Sequence, residues 1–186
     1  MTEFIPFPKI QRYETAELTI TEKIDGTNGC LVFTEDGDGW VQSRNRIITP
    51  GKTTDNAGFA GWVESCADEL FDFFGPGRHY GEWWGQGIQR GYDMSSKVFS
   101  PFNTHRFPEN DDFPDGVQAT PVLTTGSLSV IGEAVDEAMN FLATEGSVAA
   151  PGFGSPEGVM VYSQAFGYLK VPFEKAYKWE LKGEKK

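Results

Sequence analysis

Two lysines and two carboxylates carry the chemistry open to this chain. Lys23, in TEKIDGTNG, stands two residues before Asp25, and Gly26 follows at once. Glu82 follows a Tyr-Gly pair in HYGEWWG, Glu157 precedes a glycine in PEGVMVY, and Lys170 lies in GYLKVP. Lysines neutralise phosphate charge and carboxylates hold ribose hydroxyls or a divalent ion, so the four together suit a nucleotide with its metal. A glycine beside such a group lets backbone and ligand approach closely. A KxDG match alone is weak, and Lys23 alone reads as a surface strand lysine; the ordered company of Glu82, Glu157 and Lys170 gives it weight. There is no Walker A loop.

The elements that must position these groups are mostly strands. In AELTITEKID the apolar Leu18, Ile20 and Ile24 alternate, which reads as a strand with Lys23 and Asp25 on its polar face. GCLVF and WVQSR read as two strands joined by the acidic turn EDGDG. From Phe59, the residues Phe59, Trp62, Val63, Cys66, Leu70 and Phe74 recur at helical spacing, with Asp55 or Asn56 as N-cap and GPG as the stop. RHYGEWWG, SKVFSPF and LSVI read as short strands, with a long polar loop from Asn103 to about Gly126. Val135, Ala138, Met139 and Leu142 predict a second helix ended by Gly146, and GVMVYS and GYLKVPF a closing hairpin. Strands and helices come in blocks, so the expected class is α+β with mainly antiparallel sheets and flanking helices.

Composition narrows the function classes. With 186 residues and 39% hydrophobic content, one compact domain over 1–186 is expected. No apolar run approaches the roughly 18–20 residues of a membrane span, and MTEFIPFPK lacks a signal-peptide layout, so a soluble cytoplasmic protein is expected, in the host cytoplasm if viral. A net charge of −11 argues against a nonspecific nucleic-acid binder. Residues 170–186 carry six lysines and three glutamates, a local +3 on a body of −14, so the tail 171–186 reads as lysine-rich and either solvated or able to meet a polyanion. Cys30 and Cys66 read as reduced core residues, His79 and His105 as structural or surface residues, and Trp62, Trp83 and Trp84 as core.

KIDG, YGEWWG, EGVMVY and LKV resemble, in order, motifs I, III, IV and V of the covalent nucleotidyltransferases, the polynucleotide ligases and mRNA capping enzymes. EKIDGTN and SRNRIITP are most similar to RNA ligases of the phage type. The resemblance covers about Glu22 to Lys170. It implies a nucleotidyltransferase (ATP-grasp-like) domain in which Lys23 attacks the α-phosphate of ATP to form lysyl-AMP. It places Glu22 near the adenine and completes the first motif with Asp25 and Gly26. By the same carry-over Arg44 touches phosphate, Glu82 binds the ribose, Glu157 is associated with Mg²⁺ or Mn²⁺, and Lys170 meets the α-phosphate. Phe102 sits where an aromatic ring stacks on the adenine, with Phe99 as the alternative match, and a core role fits Phe102 as well. Many ligases place a second lysine two positions after the first; here that position is Pro172, and Lys175, Lys178 or Lys182 are the substitutes.

A free lysine amine, with a pKa of about 10.4, is protonated at neutral pH, so a nucleophilic lysine needs nearby cations or desolvation. Mg²⁺ and Lys170 would provide cations, whereas Asp25 favours the charged amine, so its expected role is to position Lys23 or engage a metal. The expected activity is an ATP-dependent RNA ligase acting on 5′-phosphate and 3′-hydroxyl RNA ends, without a separate OB or other C-terminal domain, which leaves room for a protein partner supplying nucleic-acid contacts. The alternatives are a DNA ligase, a capping-type guanylyltransferase using GTP, and a nucleotide-binding module without turnover.

Overall fold

The computed structural model describes residues 12–173. A short 3₁₀ turn, Tyr13–Thr15, leads into strand β1, Glu17–Glu22, whose Leu18, Ile20 and Glu22 are buried while Thr19 and Thr21 face the other way. The acidic hairpin follows: β2, Thr27–Phe33, and β3, Gly39–Ser43, with a two-residue β4, Ile47–Ile48, on the outer edge.

The single helix expected from Phe59 is two. Helix α1, Phe59–Ser65, and helix α2, Ala67–Phe74, are broken at Cys66, whose φ of −138° and ψ of 30° leave the helical region. The break lets Phe59 and Val63 on one side and Leu70 and Phe74 on the other join the same core. Gly58, not Asp55 or Asn56, occupies the N-cap, but Asp55 still serves the first turn: its carboxylate accepts from the Ala60 and Gly61 N–H groups at 2.8 and 3.0 Å. These are donors that a helix start otherwise leaves unpaired.

Strands β5, Gly77–Gly85, and β6, Lys97–Pro101, follow as expected. LSVI is not a strand. Strand β7 is Val122–Ser127, inside the segment expected to be loop; Leu128–Val130 forms a 3₁₀ turn and Ile131 opens helix α3, Ile131–Glu145. Helix α3 ends at Gly146, whose φ of 82° suits a residue without a side chain. The closing hairpin is β8, Gly158–Ser163, and β9, Gly167–Pro172. Lys175, Lys178 and Lys182, and most of the lysine-rich tail, lie outside the described residues.

The strands form two sheets, ordered β7-β1-β8-β9 and β4-β3-β2-β5-β6, with every strand pair antiparallel. Each sheet buries its outer face under helix. Leu31, Phe33, Val41, Trp83 and Phe99 of the five-stranded sheet pack on α1 and α2. Leu18, Ile20, Val159 and Val161 of the four-stranded sheet pack on Ala138, Met139 and Leu142 of α3. A third cluster, Ile24, Trp84, Tyr92, Ala149 and Ala150, lies directly beneath the turn after Lys23. Cys30 is buried, Cys66 packs against the helical core, and both are free thiols. Among the described residues no helix is long and apolar enough to cross a membrane.

Candidate functional site

The inner faces of the two sheets bound a cleft of about 1020 Å³, lined by Thr19 and Thr21 of β1, Tyr162 of β8 and Tyr168 of β9 on one side, and by Arg78, Tyr80 and Phe102 on the other. Lys23 continues the Thr19–Thr21 face just past the end of β1, and its backbone N–H donates to the Gly158 carbonyl at 2.8 Å. That bond sets the Lys23 segment beside the start of β8, next to Glu157. The Lys23 ammonium is paired directly with the Glu157 carboxylate, both side chains being about four-fifths buried.

Glu82 stands across the cleft on β5. Its Oε1 accepts from the Gly26 N–H at 3.0 Å and its Oε2 from the Asn28 amide at 3.1 Å. Burial pushes its carboxyl up to about 7; the Gly26 N–H and the Lys23 charge oppose the shift, and Glu157 and Asp25 add to it. Gly26 has to be glycine: a Cβ there would lie 2.5 Å from the Trp83 carbonyl oxygen and 2.6 Å from Trp84 Cβ. The close approach is what carries the Gly26 N–H to Glu82. A second, smaller hollow of about 310 Å³ adjoins Glu82 and is lined by Gly26, Asn28, Arg44, Arg46 and Asn56. Arg44 is exposed there, while the Arg46 guanidinium is occupied by the Thr54 and Asp55 carbonyls.

Register settles two further positions. Thr21 pairs with Met160 and Met160 with Lys170, so Lys170 points to the cleft side of β9, where it is exposed. Phe102 extends β6 opposite Tyr80, bound through its N–H to the Tyr80 carbonyl at 2.9 Å, and is half-buried in the cleft. Phe99 is fully buried among Phe59, Trp62 and Phe74. Of the two phenylalanines, Phe102 alone presents a ring to the cleft.

Two expectations need correction. Asp25 does not pair with Lys23: its Oδ2 accepts from Arg90 Nε at 3.0 Å, and Arg90 also donates to the Ser155 carbonyl at 3.2 Å. Asp25 therefore ties the turn after Lys23 to the segment before Glu157 and does not align the amine by direct contact. The Glu22 carboxylate does not face the cleft. Alternation turns it to the opposite side from Lys23, where it is 1% exposed and accepts from Ser147 Oγ at 2.6 Å, Val148 N at 2.8 Å and Ala149 N at 2.9 Å. Burial raises its pKa against those three bonds. A side-chain contact from Glu22 to a base in the cleft is therefore not available.

Arg90, Tyr92 and Asn28 are site residues that sequence reasoning missed. Tyr92 is buried and its hydroxyl accepts from the Asp25 N–H at 2.8 Å. Both come from the loop between β5 and β6, in which Gln89, Tyr92 and Asp93 hold positive φ values of 47–54°. Strain of that kind persists only where surrounding contacts fix it. The only sequence signal was a polar, glycine-rich segment, GQGIQRGYD, following the Glu82 motif. His79 is a buried core residue whose Nε2 lies 2.9 Å from the Gly75 carbonyl and whose pKa is lowered by burial, and His105 is exposed.

The RNA ligase family model matches residues 16–179 of the chain. No curated protein matches it in sequence. Among solved structures, an archaeal ATP-dependent RNA ligase is similar with a TM-score of 0.63 and 16% identity, covering 94% of this chain and 50% of that one. A Naegleria gruberi RNA ligase mutant with ATP and Mn gives a TM-score of 0.63 and 17% identity over 97% of this chain and 59% of that one. An apo mutant of the same Naegleria enzyme gives 0.61 and 17% over 92% and 53%. The chain thus spans about half the length of the ligase structures it resembles.

Proposed function

The chain belongs to the RNA ligase family, and from that premise we propose that it is an ATP-dependent RNA ligase acting through a covalent lysyl-AMP. The observation that carries this reading is the Lys23–Glu157 pair at the proximal end of the cleft, facing Glu82. In the first step Lys23 Nζ attacks the α-phosphorus of ATP; a P–N bond forms, the bond to the bridging oxygen breaks, and pyrophosphate leaves. AMP then passes to an RNA 5′-phosphate, and a 3′-hydroxyl displaces it. Attack at phosphorus is chiefly alignment and charge neutralisation. Asp25 with Arg90, and Lys23 N–H with Gly158, supply the alignment. Lys170 and Arg44 supply cations on the cleft and hollow sides of the site, Phe102 a ring for the adenine, and Glu82 a carboxylate for the ribose. Glu157, in ion-pair contact with the ammonium, holds the Lys23 side chain in place at this end of the cleft.

Among the described residues no group of three or more His, Cys, Asp or Glu forms a metal cage. Mg²⁺ needs none, because it keeps much of its shell as water and substrate phosphate and takes one or two carboxylates. Glu157, partly exposed, fits that demand, and the Naegleria structure with ATP and Mn supports the same pairing of nucleotide and divalent ion here. When bound, the ion supplies charge neutralisation at the phosphates. The nucleotidyltransferase reading extends over 1–186, the proposed compartment is the cytoplasm, and a protein partner would add nucleic-acid contacts for the later steps.

The test is incubation with Mg²⁺ and ATP or GTP labelled on the α-phosphate. Covalent label from ATP is expected. Label from GTP alone would move the protein to the capping enzymes, and no label from either would reduce it to a binding module. Nicked duplexes differing only in the sugar of the 3′-hydroxyl strand then separate RNA from DNA sealing.

Glu82 gives this reading a pH signature. Its folded pKa of about 7 lies above the unfolded 4.5, so its contribution to stability is fully present below 4.5 and is lost as pH rises through about 7. Ribose hydroxyls donate to the ionised form and favour it. ATP affinity, measured by calorimetry, is therefore expected to tighten as pH rises through about 7 and then level off. Glu82→Gln should bind more weakly and lose that slope; an unchanged slope would remove Glu82 from the ribose.

A further inference from the structure

The cleft runs well past the nucleophile end, and its far half is built from rings and guanidinium groups. On the five-stranded sheet, Trp40, Val32 and Arg78 form one cross-strand row, and Gln42, Cys30 and Tyr80 the next, nearer the row of Asn28 and Glu82. Successive rows on one face are about 7 Å apart. Val32 and Cys30 are buried, while Trp40 and Tyr80 are 40% and 54% exposed. Arg78 is held across this surface, its guanidinium over the Trp40 ring at 5.9 Å and its Nη1 on Gln42 Oε1 at 2.9 Å. Facing it on the other sheet, Tyr162 and Tyr168 pack ring to ring at 4.7 Å, with Tyr168 53% exposed.

The charge is as unusual as the rings. The chain carries a net −11, yet Arg44, Arg78 and Arg106 are paired with no carboxylate among the described residues. Among the described residues Arg78 and Arg106 line this cleft with His105, against one carboxylate, Glu17, and Arg44 continues the cationic line into the hollow beside Glu82. An acidic protein that leaves guanidinium groups unneutralised between half-exposed aromatic rings is complementary to a flexible polyanion bearing flat bases. Base stacking on such rings is sequence-tolerant, and arginine adds both phosphate attraction and stacking. The acidic β2–β3 turn, Glu35, Asp36 and Asp38, lies just beyond the Trp40 row and would repel phosphate, which limits the track on that side.

We propose that this far half of the cleft, with Arg78 on one wall and Tyr162 and Tyr168 on the other, continued by the exposed Trp40 ring beneath the Arg78 guanidinium, is a stacking site for a single-stranded segment of the RNA substrate. The proposal rests on the RNA ligase reading and adds a substrate surface to it within the nucleotidyltransferase fold.

Two measurements on the full chain separate the two ideas. The first is binding of a fluorescent single-stranded oligoribonucleotide with a 5′-phosphate; the second is covalent labelling by α-labelled ATP. Trp40→Leu and Tyr168→Leu, both at exposed positions, should each weaken oligonucleotide binding about tenfold, within the range of one lost base stack. Both should leave ATP labelling at the wild-type rate. Arg78→Gln should weaken binding and flatten its salt dependence, as loss of a phosphate contact does. Oligonucleotide affinity unchanged in all three variants, or absent in the wild type, would overturn the proposal. ATP labelling that falls together with RNA binding would overturn it too, by assigning the rings to the ATP pocket. A wild type that takes no label but binds RNA through these residues would retain the surface and refute the ligase reading.

Discussion

Lys23→Ala is expected to yield no covalent nucleotide while the protein stays folded. The side chain that would form the P–N bond is gone, and among the described residues no other amine holds its position: the backbone N–H of Lys23 on Gly158 and the Asp25–Arg90 pair fix this one site at the end of β1. The fold survives because the Lys23–Glu157 pair is not fully buried, with side chains 19% and 18% exposed, so its loss should cost less than the roughly 3–5 kcal/mol of breaking a fully buried pair. Lys23→Arg sharpens the test. It keeps a cation against Glu157, so the melting temperature should match the wild type, yet a guanidinium held protonated cannot attack phosphorus. Both variants should therefore take zero label from ATP, separating nucleophile from ion-pair partner. Label retained in either would put the nucleophile elsewhere, with Lys170 the next lysine to replace.

What the sequence disclosed and what it concealed divide along a physical line. Strands with a clean period of two, such as Leu18–Ile20 and the GVMVYS hairpin, were legible because alternation is local. Strand β7 was not: Thr124, Thr125 and Gly126 carry no apolar alternation, and the segment is a strand because β1 offers it a partner edge. The break at Cys66 was hidden for the same reason, since the spacing of apolar residues fits one helix and the sheet beneath selects two. At the site, residue types were legible and pairings were not. Lys23 and Asp25 are two residues apart, so adjacency suggested a pair, but the carboxylate that meets the amine is Glu157, 134 residues on, and Asp25 is taken by Arg90, 65 residues on. Alternation itself contained the correct answer for Glu22, because a residue next to Lys23 on a strand faces the opposite side.

That hidden face carries the largest stability effect expected here. Glu22 is a carboxylate with both oxygens engaged, and its three donors, the Ser147 hydroxyl and the Val148 and Ala149 N–H groups, belong to the segment between α3 and Glu157. Glu22→Ala leaves these donors facing a cavity. At about 1–3 kcal/mol for each buried group left unpaired, the loss should be roughly 3 kcal/mol or more, a large part of a small domain's stability. Glu22→Gln should behave differently. Its amide oxygen can accept from both N–H groups, and its amide nitrogen can donate to Ser147 Oγ, which already accepts from the Ala150 N–H at 2.9 Å. The glutamine also avoids the burial of charge that raises the Glu22 pKa. Its melt should therefore stay within about 1 kcal/mol of the wild type. The raised Glu22 pKa favours the folded state at low pH and loses that advantage as pH rises through its folded value, a dependence that glutamine should remove. Because the same segment leads to Glu157, Glu22→Ala should also slow ATP labelling of Lys23, and Glu22→Gln should restore it. Equal melts and equal labelling rates for the two variants would mean that the carboxylate does not hold the segment against the strand that leads to Lys23.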